Sequence, residues 1–186
     1  FLSLDDKECE GWKILVGNSL KKIIKPTKFT PRTHQIEAIN KAKKYFETKD
    51  RGKIIMPCGT GKSLVAFWIA KEMQAKSILI AVPSLALINQ TLKVWTREFL
   101  INDISPIWLC VCSDKTVKEK QDSFVTFTYD LGIEVTTNQE EISNFLSKKT
   151  SNPKVIFTTY QSSKTVCKGS EGFNYDLVVM DEAHKT

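Results

Sequence analysis

No apolar run in this chain approaches the roughly 18–20 residues that cross a bilayer as a helix. No membrane span is therefore expected. No secretory leader is expected either, because Asp5, Asp6 and Glu8 stand where its basic residues would be. None of the five cysteines (Cys9, Cys58, Cys110, Cys112 and Cys167) forms a C-x-x-C pair, and their odd number argues against a disulfide framework or a zinc site. Reduced, partly buried thiols in the cytoplasm are the expectation, with Cys110 and Cys112 sharing one face of a strand. Repeats and low-complexity stretches are absent. Acidic residues are missing from one region: Gly11 to Ile36 holds Lys13, Lys21, Lys22, Lys25, Lys28 and Arg32 but no Asp or Glu. That region reads either as a solvated lysine face or as a phosphate-contacting surface. The chain also lacks an initial Met, so Phe1 reads as a fragment boundary.

What is present is enough chain, 186 residues, for one domain with a well-buried core. Its net charge of +6 suits an anionic partner without requiring one. Residues 1–28 are poorly patterned apart from a short periodic piece at 12–24, and read as an extension or linker; residues 29–186 read as the domain. Ile36, Ile39 and Phe46 recur at helical spacing and predict a helix over 33–49, with Thr33 as its N-cap. Short apolar runs at 53–57, 77–82, 107–112, 134–137, 154–159 and 176–180 predict strands. Helical patterns at 61–74, from Ser84 to about Leu100, and at 138–148 lie between them, while 113–129 is polar and irregular. Strands separated by crossover helices, nearly continuous in apolar character, predict an α/β fold with a mostly parallel sheet covered on both faces.

Two segments carry chemistry. Met56-Pro57-Cys58-Gly59-Thr60-Gly61-Lys62-Ser63 places a glycine-rich turn between a strand and a helix, the context a phosphate-binding loop requires. Gly59 and Gly61 let backbone N–H groups turn inward, and the following helix presents its N-terminus to the same anion. Lys62 would neutralise phosphate oxygens and Ser63 would ligate magnesium. Met56 stands where the usual pattern has glycine, which narrows the subclass. The second segment, Asp181-Glu182-Ala183-His184, closes an apolar strand 119 residues after Lys62. Ligands of open α/β sheets bind at the carboxyl ends of strands, so the two segments can converge. Asp181 would hold magnesium, and Glu182 would orient and deprotonate a water. ATP and Mg2+ are the expected cofactors. Trp12, Trp68, Trp95 and Trp108 read as packing residues rather than base-stacking platforms.

From Phe29 to its end the chain resembles the first RecA-like motor domain of a superfamily-two helicase or translocase of the DEAH-box kind. Phe29-Thr30-Pro31-Arg32-Thr33-His34-Gln35 resembles the Q motif, which implies that Gln35 reads adenine with Arg32 supporting the pocket, and Gly59, Thr60, Gly61, Lys62 and Ser63 hold the phosphates. Val82-Pro83-Ser84-Leu85 resembles motif Ia, with Ser84 on a nucleic-acid phosphate, and Thr158-Thr159-Tyr160-Gln161-Ser162 resembles motif Ib, with Thr159 on the tracked strand. His184 would link the nucleotide site to interdomain contacts. Together with Leu109 to Asp114, these forms are similar to the motors of type ISP and type III restriction enzymes.

The resemblance implies a partner in nucleic acid, DNA before RNA, and a second RecA-like domain in the parent protein. That second lobe and the segment normally following the acidic box are missing here. The lobe would supply an arginine worth about 10³–10⁵ in rate, so this chain alone is expected to turn ATP over poorly. An RNA-remodelling helicase remains an alternative, since contacts to the 2′-hydroxyl decide between the two nucleic acids. A nucleotide-gated binding module and a metabolic P-loop kinase are the remaining readings.

Overall fold

The computed structural model describes residues 28–113 and 133–183. The periodic piece at 12–24 with Trp12, Asp114 with most of the irregular stretch after it, and His184 lie outside the described residues.

The chain enters helix α1, Thr33–Phe46. It then passes through the phosphate-loop sequence into α2, Lys62–Glu72, and on to β1, Ser77–Val82. Helix α3 follows at Leu85–Ile101, then β2, Ile107–Val111, and a two-residue β3, Val135–Thr136. Helix α4, Gln139–Ser147, leads to β4, Lys154–Thr159, and a 3₁₀ turn, Tyr160–Ser162. Helix α5, Ser163–Gly169, and β5, Leu177–Met180, complete the order. The five strands form one sheet in the order β3-β2-β4-β1-β5, and every pair is parallel. This is the RecA-like α/β architecture.

Both faces of the sheet are covered, and the period of two in the strands sorts the side chains between them. Cys110, Val155 and Phe157 join one buried cluster with α1, α2 and α3, whereas Leu109, Val111 and Ile156 join another with Ile142 and Phe145 of α4 and Val166 of α5. Cys110 and Cys112 share a face as expected, their sulfurs 3.3 Å apart and buried. Trp68 and Trp95 are buried in the first cluster, and Trp108 stacks on Phe157 with ring centroids 5.8 Å apart. Asp176 fastens the start of β5 to the start of β1: its carboxylate accepts from the Lys76 and Ser77 N–H groups at 2.7 and 2.8 Å.

The structure departs from the sequence expectations at three places. Residues 53–57 were expected as a strand, yet they pair with no neighbour and are exposed except Met56. An apolar run becomes a strand only when a sheet edge accepts it. Here Gly52 packs against the Tyr45 and Phe46 rings and Thr60 Oγ1 donates to the Pro57 carbonyl at 2.7 Å. The intervening residues stand off the open edge of β5, where Val178 and Met180 are exposed. The N-cap of α1 is Arg32 and not Thr33, because the Gln35 side chain accepts from the Arg32 N–H at 2.8 Å and so sets the first turn one residue earlier. Helix α5 was not anticipated. It is seven residues long, contains Thr, Val and Cys of modest helix propensity, and is held by packing: a Cβ on Gly169 would lie 2.7 Å from Ile142 Cβ.

Candidate nucleotide and nucleic-acid site

The phosphate loop is built around two left-handed glycines. Gly59 has φ +75 and Gly61 φ +81, a region other residues enter at a cost. No atom lies within 4 Å of where a Cβ on Gly59 would stand, so that side of the turn is open to a ligand. Gly61 is also the N-cap of α2, and its carbonyl accepts from Val65 N–H at 3.1 Å. The orphan N–H groups of the first turn of α2 and its dipole therefore converge on the loop. Lys62 and Ser63, the first two residues of α2, are both partly exposed there.

Gln35 supports this loop from beneath. Its side chain is 5% exposed, and both of its ends are engaged: Nε2 donates to the Thr60 carbonyl at 2.8 Å while Oε1 holds the Arg32 N–H. A Cβ on Gly61 would come 2.7 Å from Gln35 Nε2. In this conformation Gln35 ties α1 to the phosphate loop, and its amide keeps one further N–H and one further acceptor position. Arg32 is exposed at the helix entrance.

On the opposite side, β5 is followed by Asp181, whose N–H donates to the Ala81 carbonyl at 3.0 Å and so continues the parallel ladder by one bond. Glu182 then adopts φ +57, a left-handed backbone that costs a residue with a Cβ about 1–3 kcal/mol and persists only where neighbours impose it. Its N–H donates to Asp181 Oδ1 at 3.0 Å. That geometry turns the Glu182 carboxylate toward the phosphate loop, where Oε1 meets Lys62 Nζ at 2.8 Å. Two residues 120 positions apart thus meet over the carboxyl end of the sheet. The hydrogen bond to Glu182 holds the Lys62 ammonium above its ordinary pKa, with burial opposing and the charges of Glu182, Cys58 and Asp181 assisting. A cavity of about 800 Å³ opens between α1, residues 52–57, α2 and β5, with Thr60, Lys62, Ser63 and Asp181 in its lining.

Ser84 and Thr159 sit at the ends of adjacent strands, since Val82 pairs with Thr159. Ser84 caps α3 and is partly exposed, its Oγ accepting from Leu87 N–H at 3.4 Å. Thr159 is different. It is 0% exposed and its hydroxyl lies 3.3 Å from Ser162 Oγ, so in this conformation its side chain cannot touch a strand. The exposed residue of that turn is Gln161.

Sequence reasoning passed over Tyr160. Its hydroxyl donates to the Asp181 carbonyl across the end of the sheet. Burial, followed by the nearby Asp181 and Glu182 carboxylates, pushes its pKa up, which keeps the hydroxyl a donor. The available signal was a phenol directly after a strand that ends in two threonines. Among the described residues no helix is long and apolar enough to cross a membrane, and no three His, Cys, Asp or Glu side chains cluster as a ready-made metal site.

Comparison with known proteins adds three findings. Residues 28–186 match the family described as type III restriction enzyme, res subunit. The chain is 29% identical over 160 residues to a probable helicase, A859L, of African swine fever virus (isolate Tick/Malawi/Lil 20-1/1983), and 28% identical to the counterpart from isolate Pig/Kenya/KEN-50/1950. Each alignment covers 86% of this chain and 16% of the viral protein, so the chain spans about one sixth of those relatives. Among solved structures it resembles a nuclease-deletion mutant of the type ISP restriction-modification enzyme LlaGI in complex with a DNA substrate mimic, with TM-score 0.65 and 29% identity, covering 85% of this chain and 15% of that one.

Proposed function

The chain belongs to the type III restriction enzyme res-subunit family, and on that premise we propose that it is the ATP-binding motor domain of a DNA helicase or translocase of the restriction-enzyme kind. The observation that carries the reading is the 2.8 Å contact between Lys62 and Glu182 beside the glycine turn. Structural ion pairs are common, but this one joins a helix N-terminus to a left-handed residue just past a strand end, and Lys62 and the neighbouring Asp181 line one cavity. Residues 29–186 form the motor unit in this reading, and 1–28 an extension. A second RecA-like lobe in the parent protein is the partner that would close the site. The free thiols of Cys58, Cys110, Cys112 and Cys167 fit a reducing compartment, and the cytoplasm is its proposed location.

The residues present fit Mg2+ and ATP. Open space beside Gly59 and the N–H groups of α2 suit a polyphosphate. One carboxylate and one hydroxyl suit a magnesium ion that completes its shell with phosphate oxygens and waters. Ser63 and Asp181 are the residues that would hold it. When bound, Mg2+–ATP supplies the phosphoanhydride to be cleaved and a cation against its charge. Lys62 would turn from Glu182 to neutralise the phosphates, and the Glu182 carboxylate would orient a water and accept its proton. The ion pair therefore holds the two groups apart from their work until a polyanion competes for the lysine. Ser84, at the N-terminus of a 17-residue helix, is the proposed backbone contact for nucleic acid.

ATP turnover by the full-length protein with duplex DNA or single-stranded RNA tests this reading. Glu182→Gln is expected to lower DNA-stimulated turnover by about 10²–10⁴ with ATP still bound, and Lys62→Ala to weaken ATP binding itself. Stimulation by RNA alone would replace DNA as the track, and unchanged ATP affinity in Lys62→Ala would remove the nucleotide site.

A further inference from the structure

The sheet order puts β1 between β4 and β5, and a single side chain spans that gap. Tyr160 follows the last residue of β4, and its hydroxyl lies 2.5 Å from the Asp181 carbonyl at the end of β5. It therefore passes over the carboxyl end of β1, which leads directly to Pro83 and Ser84. Its own backbone belongs to the turn whose outer residue, Gln161, is exposed, and the Tyr160 carbonyl accepts from Ser163 Oγ at 2.7 Å.

The peptide group between Asp181 and Glu182 decides where the Glu182 carboxylate points. Its N–H is held by Asp181 Oδ1 at 3.0 Å, and its carbonyl by Tyr160. With φ of Glu182 at +57, rotation of that peptide would swing the carboxylate away from the position where it meets Lys62. We infer that Tyr160 is a positioning residue, which ties the turn after β4, beside the end of β1 that leads to Ser84, to the backbone that aims Glu182. The inference rests on the proposed motor function and deepens it: it names the link by which a strand held at Ser84 would alter the hydrolytic site.

Removing the hydroxyl while keeping the ring frees one end of the peptide and leaves the packing in place. In full-length Tyr160→Phe, DNA-stimulated kcat should fall about tenfold, as for loss of one positioning hydrogen bond, with KM for ATP within about twofold of wild type. A second readout is the affinity for fluorescent duplex DNA with and without a non-hydrolysable ATP analogue. The nucleotide-dependent change in affinity seen in wild type should shrink in the variant. If the variant retains the wild-type kcat and the full affinity change, the inference is overturned. It is also overturned if kcat falls only together with the melting temperature while the affinity change stays intact, since that pattern marks a packing residue. A wild-type protein without DNA-stimulated turnover would instead sink the motor reading, and this inference with it.

Discussion

Two short segments of this chain open with lysine, continue in β-branched and aromatic or thioether residues, and lead into a candidate functional loop. One, Lys154–Thr159, is a strand with a partner on each side, and its Val155, Ile156 and Phe157 are wholly buried. The other, residues 53–57, pairs with nothing, and its Ile55 is 84% exposed. Their compositions are close enough that the same reasoning reads both as strands. The difference lies outside both segments. β4 enters between the edges of β2 and β1, whereas 53–57 faces the outer edge of β5 and is held at its two ends by Gly52 and Thr60. Strand propensity describes fitness for a pleated, half-buried surface, and it cannot say whether such a surface is offered.

The same division runs through the site. The carboxyl ends of β1, β4 and β5 are fixed by ladders and by Tyr160, and they carry Asp181, Glu182 and Ser84. Among the described residues the phosphate loop is held by Gln35, Thr60, the entrance of α2 and the packing of Met56 on the first cluster. The Lys62–Glu182 contact is a charged bond between the strand ends and the phosphate loop.

The largest expected effect is at the fixed half. Phe157 touches Trp108 within the first cluster and is fully buried, so Phe157→Ala leaves a cavity and should cost about 3–5 kcal/mol in chemical denaturation. A cost below about 1 kcal/mol would mean that β4 is no better anchored than 53–57, and the comparison would fail.

An intermediate effect is expected where β5 joins the sheet. Burial pushes the Asp176 carboxyl up, but hydrogen bonds from Lys76 and Ser77 outweigh it and hold its pKa below the ordinary value. A depressed carboxyl stabilises the fold above its unfolded pKa, near 4, and loses that contribution as pH falls through the lower folded value. The melting temperatures of wild type and Asp176→Ala should therefore differ at neutral pH and converge below about pH 4. A difference that persists undiminished into acid would show that the carboxylate charge is not what fastens β5 to β1.

Much of this was legible in the sequence. The strands at 77–82 and 154–159 fall where their apolar runs end, because Pro83 and the 3₁₀ turn stop them. Ser84 and Asn138 cap their helices as short polar residues at the entrance of apolar-periodic segments do. The two nucleotide segments could be paired by the rule that strand ends hold ligands, but the engagement of Gln35 with Thr60 and the burial of Thr159 could not. Both depend on which side of a turn faces the core, a property of packing with no local signature. Tyr160 stayed hidden for a related reason: its partner is a backbone carbonyl 21 residues away, and backbone groups carry no residue identity.

The smallest expected effect sharpens the comparison most. Ile55 is exposed, so Ile55→Thr removes little buried area and should change stability by no more than about 0.5 kcal/mol. The same substitution keeps a β-branched side chain, so it tests burial rather than backbone preference. If denaturation instead shows a loss of about 2 kcal/mol, the segment spends its time against the open edge of β5, where Val178 and Met180 are available to cover it. The two lysine-led segments would then differ in degree of docking, and the phosphate loop would inherit the rigidity of the sheet.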